Sequence, residues 1–216
     1  IKADVDIPQD MQGEELWFSL KTAAEICVKI NGKYVGGVDP NRERMLISPY
    51  INDKKTLHFD MMGYNRSKPD DERNPESLSV RGCRQIFEGA YICTVNHAVQ
   101  DLVWDFELLL DIANSDLFNE DYRAFLNREL NNAMNFIDFD ADELTGVDDA
   151  KKYIDEVIYA NDTYKGTGDV ALIAHSHLDI AYYWRRIHAV QKNLRTVLIQ
   201  LRLMDKYPDF KYTHTQ

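Results

Sequence analysis

The sequence is poor in cysteine. Cys27, Cys83 and Cys93 are an odd number with no CxxC pair, which excludes both a disulfide framework and a zinc knuckle. The pattern predicts reduced thiols in a cytoplasmic protein. Positive charge is also scarce, with 25 Lys and Arg against 36 Asp and Glu and a net charge of −11. That balance argues against a nucleic-acid binder, which needs a basic face to displace counterions, and against adhesion to an anionic membrane, and the acidity reads as solubility. There is no run of the ~20 apolar residues that a membrane span needs. No secretory leader is recognisable from Ile1, although so abrupt a start leaves room for a removed one. Two short sequons, Asn65–Ser67 and Asn161–Thr163, do not outweigh that reading. Internal repeats and low-complexity segments are missing too. What is there is 44% hydrophobic and 11% aromatic residues in a chain of 216, enough for one large packed domain or two small ones.

Residues 1–95 read as a β-sandwich domain. Ile26, Val28 and Ile30 alternate with Cys27 and Lys29, the period of a half-buried strand. Asn31-Gly32 then predicts a type I′ hairpin turn, because both central residues need positive φ. Met45–Ile47, Thr56–Met61 and Gln85–Val95 predict further strands, and Asn65–Pro75 a loop.

Residues 96–166 change to a helical period and read as a helical connector. Leu102, Val103, Phe106, Leu109, Leu110 and Ala113 predict one inward face, and Tyr122, Phe125, Leu126, Leu130, Met134 and Ile137 a second. A third helix is predicted over Asp149–Tyr164, with Ile154, Val157 and Ile158 inward and Gly166 at its end.

Residues 167–216 predict one βαβ unit of a parallel α/β domain begun and not finished. Val170–Ala174 is continuously apolar, as in a strand covered on both faces. A helix from about Tyr183 to Lys206 should turn Ile187, Val190, Leu194, Val197, Leu198, Leu201 and Met204 inward. Phe210–Thr215 alternates as the second strand. The fold class is thus α+β and multidomain: β-sandwich, helical connector, and the first βαβ unit of an incomplete barrel-type domain.

The chemistry gathers in Asp169–Trp184, DVALIAHSHLDIAYYW. Parallel α/β sheets bind ligands at the carboxyl ends of their strands, where this reading puts His175, Ser176, His177, Leu178 and Asp179. Alternate side chains on extended backbone point the same way, so His177 and Asp179 could reach one cation together. One imidazole nitrogen and one carboxylate oxygen suit zinc, with cobalt or manganese as alternatives. Two ligands need others from elsewhere. His188 reads as structural, and Arg185 and Arg186 as a solvated helix start.

Ala174–Trp184, AHSHLDIAYYW, resembles the HxHxDxAW signature that opens the catalytic domain of the class II α-mannosidases, glycoside hydrolase family 38. The similarity continues through Leu194-Arg195-Thr196, Leu201–Met204, Tyr207-Pro208-Asp209-Phe210 and Gln216. Asn31–Leu46 (NGKYVGGVDPNRERML) is similar to the family's N-terminal sandwich, and Leu102–Ala113 to the helix after it. The resemblance implies a metal held by His177 and Asp179, with His175 orienting them without ligating. Tyr182 stands where the family has a tryptophan that packs on the mannose ring. This departure keeps an aromatic face and loses the indole N–H. Thr215 replaces a serine and keeps the hydroxyl. The implied activity is metal-dependent, retaining hydrolysis of terminal α-linked mannose from oligosaccharides, by a carboxylate nucleophile and a carboxylic acid. No Asp or Glu in this chain matches those two groups. They are expected beyond Gln216, so residues 1–216 alone should be inactive. The implied partners are a mannose-containing oligosaccharide and the remainder of the catalytic domain, with homo-oligomerisation left open.

Two other readings compete. In an amidohydrolase-type metal hydrolase, His175 and His177 would both ligate. In a carbohydrate-binding module, the sandwich would bind sugar through Tyr34, Tyr50 or Tyr64.

Overall fold

The computed structural model describes residues 1–22, 24–51, 56–64, 87–164, 166, 168–179 and 186–215. The expected loop at Asn65–Pro75, together with Cys83, Tyr182, Tyr183, Trp184 and Arg185, lies outside them. The chain forms two compact units, Ile1–Thr94 with Ala171–Gln216, and Val95–Val170. Strands and helices together make it a mixed α+β protein.

The first unit holds strands β1 (Lys2–Asp6), β2 (Trp17–Thr22), β3 (Glu25–Ile30), β4 (Lys33–Val38), β5 (Arg44–Leu46), β6 (Thr56–Tyr64) and β7 (Phe87–Cys93). They form an antiparallel four-stranded sheet in the order β1-β6-β3-β4 and a three-stranded sheet β5-β2-β7. Both contribute to one apolar core. Phe18 and Leu20 come from one sheet, and Ile26, Val28, Ile30, Val35, Leu57 and Phe59 from the other. Phe18 and Phe59 meet with ring centroids 4.9 Å apart. The hairpin turns where expected, with Asn31 at φ 50° and Gly32 at φ 82°. Strand β1 escapes sequence reading because Lys2, Asp4 and Asp6 are exposed on an edge strand, which needs only one buried neighbour. Cys27 is buried and free, and burial pushes its thiol pKa up.

The second unit is helical: α1 (His97–Asn114), α2 (Glu120–Met134) and α3 (Val147–Tyr153). Asn96 and Asn119 cap the first two, accepting from the N–H of Val99 and Tyr122 at 3.2 and 2.7 Å. Leu102, Leu109, Ala113, Phe125, Leu126, Leu130, Ala150, Ile154 and Ile158 form its core. Val103, Leu110 and Met134, expected inward, are exposed; on α1 they flank a buried face narrower than the apolar stripe. The expected third helix is not continuous. It passes from α3 into a π-helical turn at Ile154–Tyr159, and Asp162–Tyr164 forms a separate 3-10 turn. Gly166 therefore does not end a continuous α-helix. Tyr164 instead stacks on Tyr122 at 4.6 Å.

The last elements rejoin the first unit: β8 (Ala174–His177), α4 (Arg186–Lys206) and β9 (Tyr212–Thr215). Strands β8 and β9 pair in parallel, so strand, helix and strand make one βαβ unit. Two expectations fail here. Val170, Leu172 and Ile173 are 83%, 87% and 61% exposed, so this apolar run is not a strand covered on both faces. The helix is also rotated from its expected face, with Leu194, Val197 and Leu198 only half-buried. Ile187, Val190, Leu201 and Met204 are exposed, while Gln191 and Arg195 are buried. Periodicity shows that α4 has an apolar face; it cannot show that a polar one is held elsewhere.

Candidate functional site

Strand β8 begins four residues later than its sequence pattern suggests, so the motif histidines lie within the strand and not beyond its end. His175, Ser176 and His177 are paired in register with Thr213, His214 and Thr215 of β9. His175 and His177 are exposed and Ser176 half-buried, which is the alternation that puts the two histidines on one face. Leu178 and Asp179 follow the strand directly.

His177 and Asp179 come together as their spacing predicts. His177 Nε2 lies 3.2 Å from Asp179 Oδ1, and the two side chains keep 62% and 38% of their surface exposed. A nitrogen and an oxygen donor meeting at one accessible point fit a borderline dication such as zinc. Among the described residues no group of three or more His, Cys, Asp and Glu could hold a metal, so the pair fits as part of a ligand set. His175 shares the strand face. Tyr182, the expected aromatic wall, lies outside the described residues. His188 is half-buried on α4 and Arg186 exposed at its start.

The residues that hold this unit in place were not foreseen as a group. Helix α4 packs on β4 and β3. Gln191 Nε2 donates to the carbonyls of Glu25 and Met62 at 3.1 and 3.0 Å. Lys192 Nζ lies 2.6 Å, and Arg195 Nη2 2.8 Å, from Glu25 Oε2. The other arm of Arg195, Nη1, stands 3.5 Å from Asp39 Oδ2. Asp39 also accepts from the Asn41 N–H at 3.0 Å. Further along, Arg202 donates to the Val35 carbonyl and to Tyr50 Oη.

The sheet admits these long side chains because β4 is bare where they cross it. A Cβ on Gly37 would run into the Ile26 carbonyl oxygen and lie 2.6 Å from Arg195 Cδ. Gly36, at φ +128°, sits beneath the Arg202 guanidinium. The available signals were the Gly36-Gly37 pair in β4 and the polar positions 191, 195 and 202 sharing a face beside the apolar stripe. Of the tyrosines considered for a sugar platform, Tyr50 is half-buried with the Arg202 guanidinium 5.0 Å from its ring centre. Tyr34 carries the Lys29 ammonium 4.4 Å from its ring. The Tyr64 side chain lies outside the described residues.

Among the described residues no helix is long and apolar enough to cross a membrane. A search of curated proteins finds no match to the chain. Residues 167–216, the stretch that carries β8, α4 and β9, match the model of the glycosyl hydrolases family 38 N-terminal domain, and the HxHxD pattern lies within the matched stretch.

Proposed function

We propose that residues 167–216 open the catalytic domain of a metal-dependent, retaining α-mannosidase that removes terminal α-linked mannose from oligosaccharides. The observation that carries the reading is the 3.2 Å approach of His177 Nε2 to Asp179 Oδ1 within the family-matching stretch. In it, His177 and Asp179 hold a zinc ion, with cobalt or manganese as substitutes. When bound, the ion supplies a Lewis acid and template for two sugar hydroxyls. His175 orients the pair from the same strand face, as partners of metal-bound imidazoles do. Tyr182 offers a ring face to the sugar.

The displacement itself needs two carboxyl groups about 5–5.5 Å apart. The reading assigns them, with the remaining ligands, to sequence beyond Gln216, so residues 1–216 alone turn over no mannoside. The compartment in this reading is the cytoplasm, as the odd number of cysteines without CxxC spacing leads us to expect.

The test is made on the full-length gene product with an aryl α-mannoside. Chelation should abolish hydrolysis and zinc or cobalt restore it, and the first sugar product should be the α-anomer. His177→Ala and Asp179→Asn should each weaken metal affinity at least tenfold, and His175→Ala less. Equal loss from His175→Ala and His177→Ala would favour the amidohydrolase arrangement. Chelator-insensitive hydrolysis would sink the metal assignment.

A further inference from the structure

Helix α4 has two faces, and simple burial of apolar area would choose the other one. Ile187, Val190, Leu194, Val197, Leu201 and Met204 form a single stripe at spacings of three and four residues, with Leu194 and Val197 half-buried and the other four exposed. The face turned to the sheet carries Gln191 and Arg195 at 1% and 6% exposure. Within residues 1–216 the face turned to the sheet is therefore chosen by specific polar contacts.

The selection comes from two carboxylates and two glycines. Glu25 and Asp39 both face the Arg195 guanidinium, and Lys192 shares Glu25. Gly37 leaves the hollow in which the Arg195 stem lies. Successive helix residues are about 100° apart around the axis. A roll by one residue would take the guanidinium from both carboxylates and leave buried charge unpaired, a large penalty. One rotation of α4 brings Arg195 to both carboxylates and Lys192 to Glu25, which is the registry role best attested for buried ion pairs.

The helix is in turn tied to the motif strand. The N–H of Phe210 donates to the Tyr207 carbonyl at 2.9 Å in the turn after α4, and the N–H of Ala174 to the Lys211 carbonyl at 2.9 Å. From there β9 pairs with β8 through His177. We propose that Arg195 is a positioning residue for the His177–Asp179 pair, acting through helix α4. It is held by Glu25 and Asp39 of the sandwich, and it sets the rotation of the helix and with it the placement of strand β8. The functional consequence rests on the glycosidase reading of that pair; the placement itself does not.

The experiment separates the two. Amide hydrogen exchange, oxidative footprinting of methionines and the imidazole ¹⁵N shifts of His177 are measured on the chain and on Arg195→Met. The methionines serve as internal reporters, because Met45 and Met61 are buried in the sandwich core while Met204 lies on the exposed stripe. Exchange at Ala174–His177 and along Arg186–Lys206 should quicken at least tenfold and the His177 shifts should move, while Met45 and Met61 stay protected. Arg195→Lys, which keeps the charge without the fork, should recover part of the protection. The swap Glu25→Arg with Arg195→Glu should recover more than either single change. Unchanged exchange at β8 would overturn the proposal, as would oxidation of Met45 and Met61 in step with it, since Arg195 would then only support the fold at large. If Arg195→Met does not fold, Glu25→Gln is read by the same criteria. None of these readouts depends on hydrolysis, so inactivity toward mannosides would refute the glycosidase reading and leave this one standing.

Discussion

Replacing Gly37 by alanine puts the packing of helix α4 to a quantitative test. No strain arises from backbone conformation, since Gly37 is not among the glycines with positive φ. The cost arises from two obstacles of different kinds. The added methyl would meet the Ile26 carbonyl oxygen, and it would lie 2.6 and 2.8 Å from Cδ and Cγ of Arg195. A side chain can rotate away; a carbonyl in the middle of the β3–β4 ladder, where Cys27 faces Gly37, cannot move without breaking register. Overpacking of a tight core costs about 1–3 kcal/mol, and the backbone obstacle puts this case near about 3 kcal/mol, roughly a hundredfold in the folding constant. With a urea slope of about 2 kcal/mol per molar, the midpoint should fall by about 1.5 M. The assay is equilibrium urea unfolding followed by tryptophan fluorescence and circular dichroism. Gly166→Ala is the control, because nothing lies within 4 Å of its added Cβ, and it should stay within about 0.5 kcal/mol of the parent. Adding Arg195→Ala to Gly37→Ala should not restore stability, since the Ile26 carbonyl remains. Equal midpoints for Gly37→Ala and Gly166→Ala would refute the reasoning, and full rescue by Arg195→Ala would refute the weight given to the backbone.

Two further outcomes concern the helical unit. Glu129 is buried and accepts from Tyr153 Oη at 2.6 Å, Asn132 Nδ2 at 2.9 Å and Arg128 Nε at 2.6 Å. These partners, Tyr153 foremost, hold its pKa below the usual 4.5. Its ionised form is therefore favoured in the folded state. That stabilisation is full above the unfolded-state value and is lost as pH falls through the lower folded value. Glu129→Gln should cost about 1.5–3 kcal/mol at neutral pH, and urea melts should show the gap to the parent narrowing below about pH 4; a gap independent of pH would count against this account. Leu126→Ala should cost about 2–5 kcal/mol, because Leu126 is fully buried in the cluster of α1, α2 and α3. Thermal melts showing under about 1 kcal/mol would mean that the site collapses around the missing atoms.

What could be read from the sequence was local. Asn31-Gly32 was legible because the turn's positive φ angles are demanded by two adjacent residues. The approach of His177 to Asp179 was legible because extended backbone repeats every two residues. The inward face of α4 was not, since its partners Glu25 and Asp39 lie far away in the chain and periodicity carries no information about them. The run Val170–Ile173 looked like a covered strand because apolarity was taken for burial, whereas these residues have little packed on them. The break after α3 was hidden for a different reason: a π turn keeps the same residues inward for one turn, and Ile154 and Ile158 remain in the core.

The contact between Glu25 and Arg195 spans 170 positions, and this bears on the order of events during synthesis. At about 5–20 residues per second, Arg195 is made some ten seconds or more after Glu25. Short antiparallel sheets close within milliseconds to seconds, so the sandwich has time to finish before its arginine arrives. Glu25 and Asp39 then stand ready on a preformed surface, and the long loop-closure entropy is met by two folded bodies docking rather than by a coil searching. The late helix is guided to the right face by charges already in place.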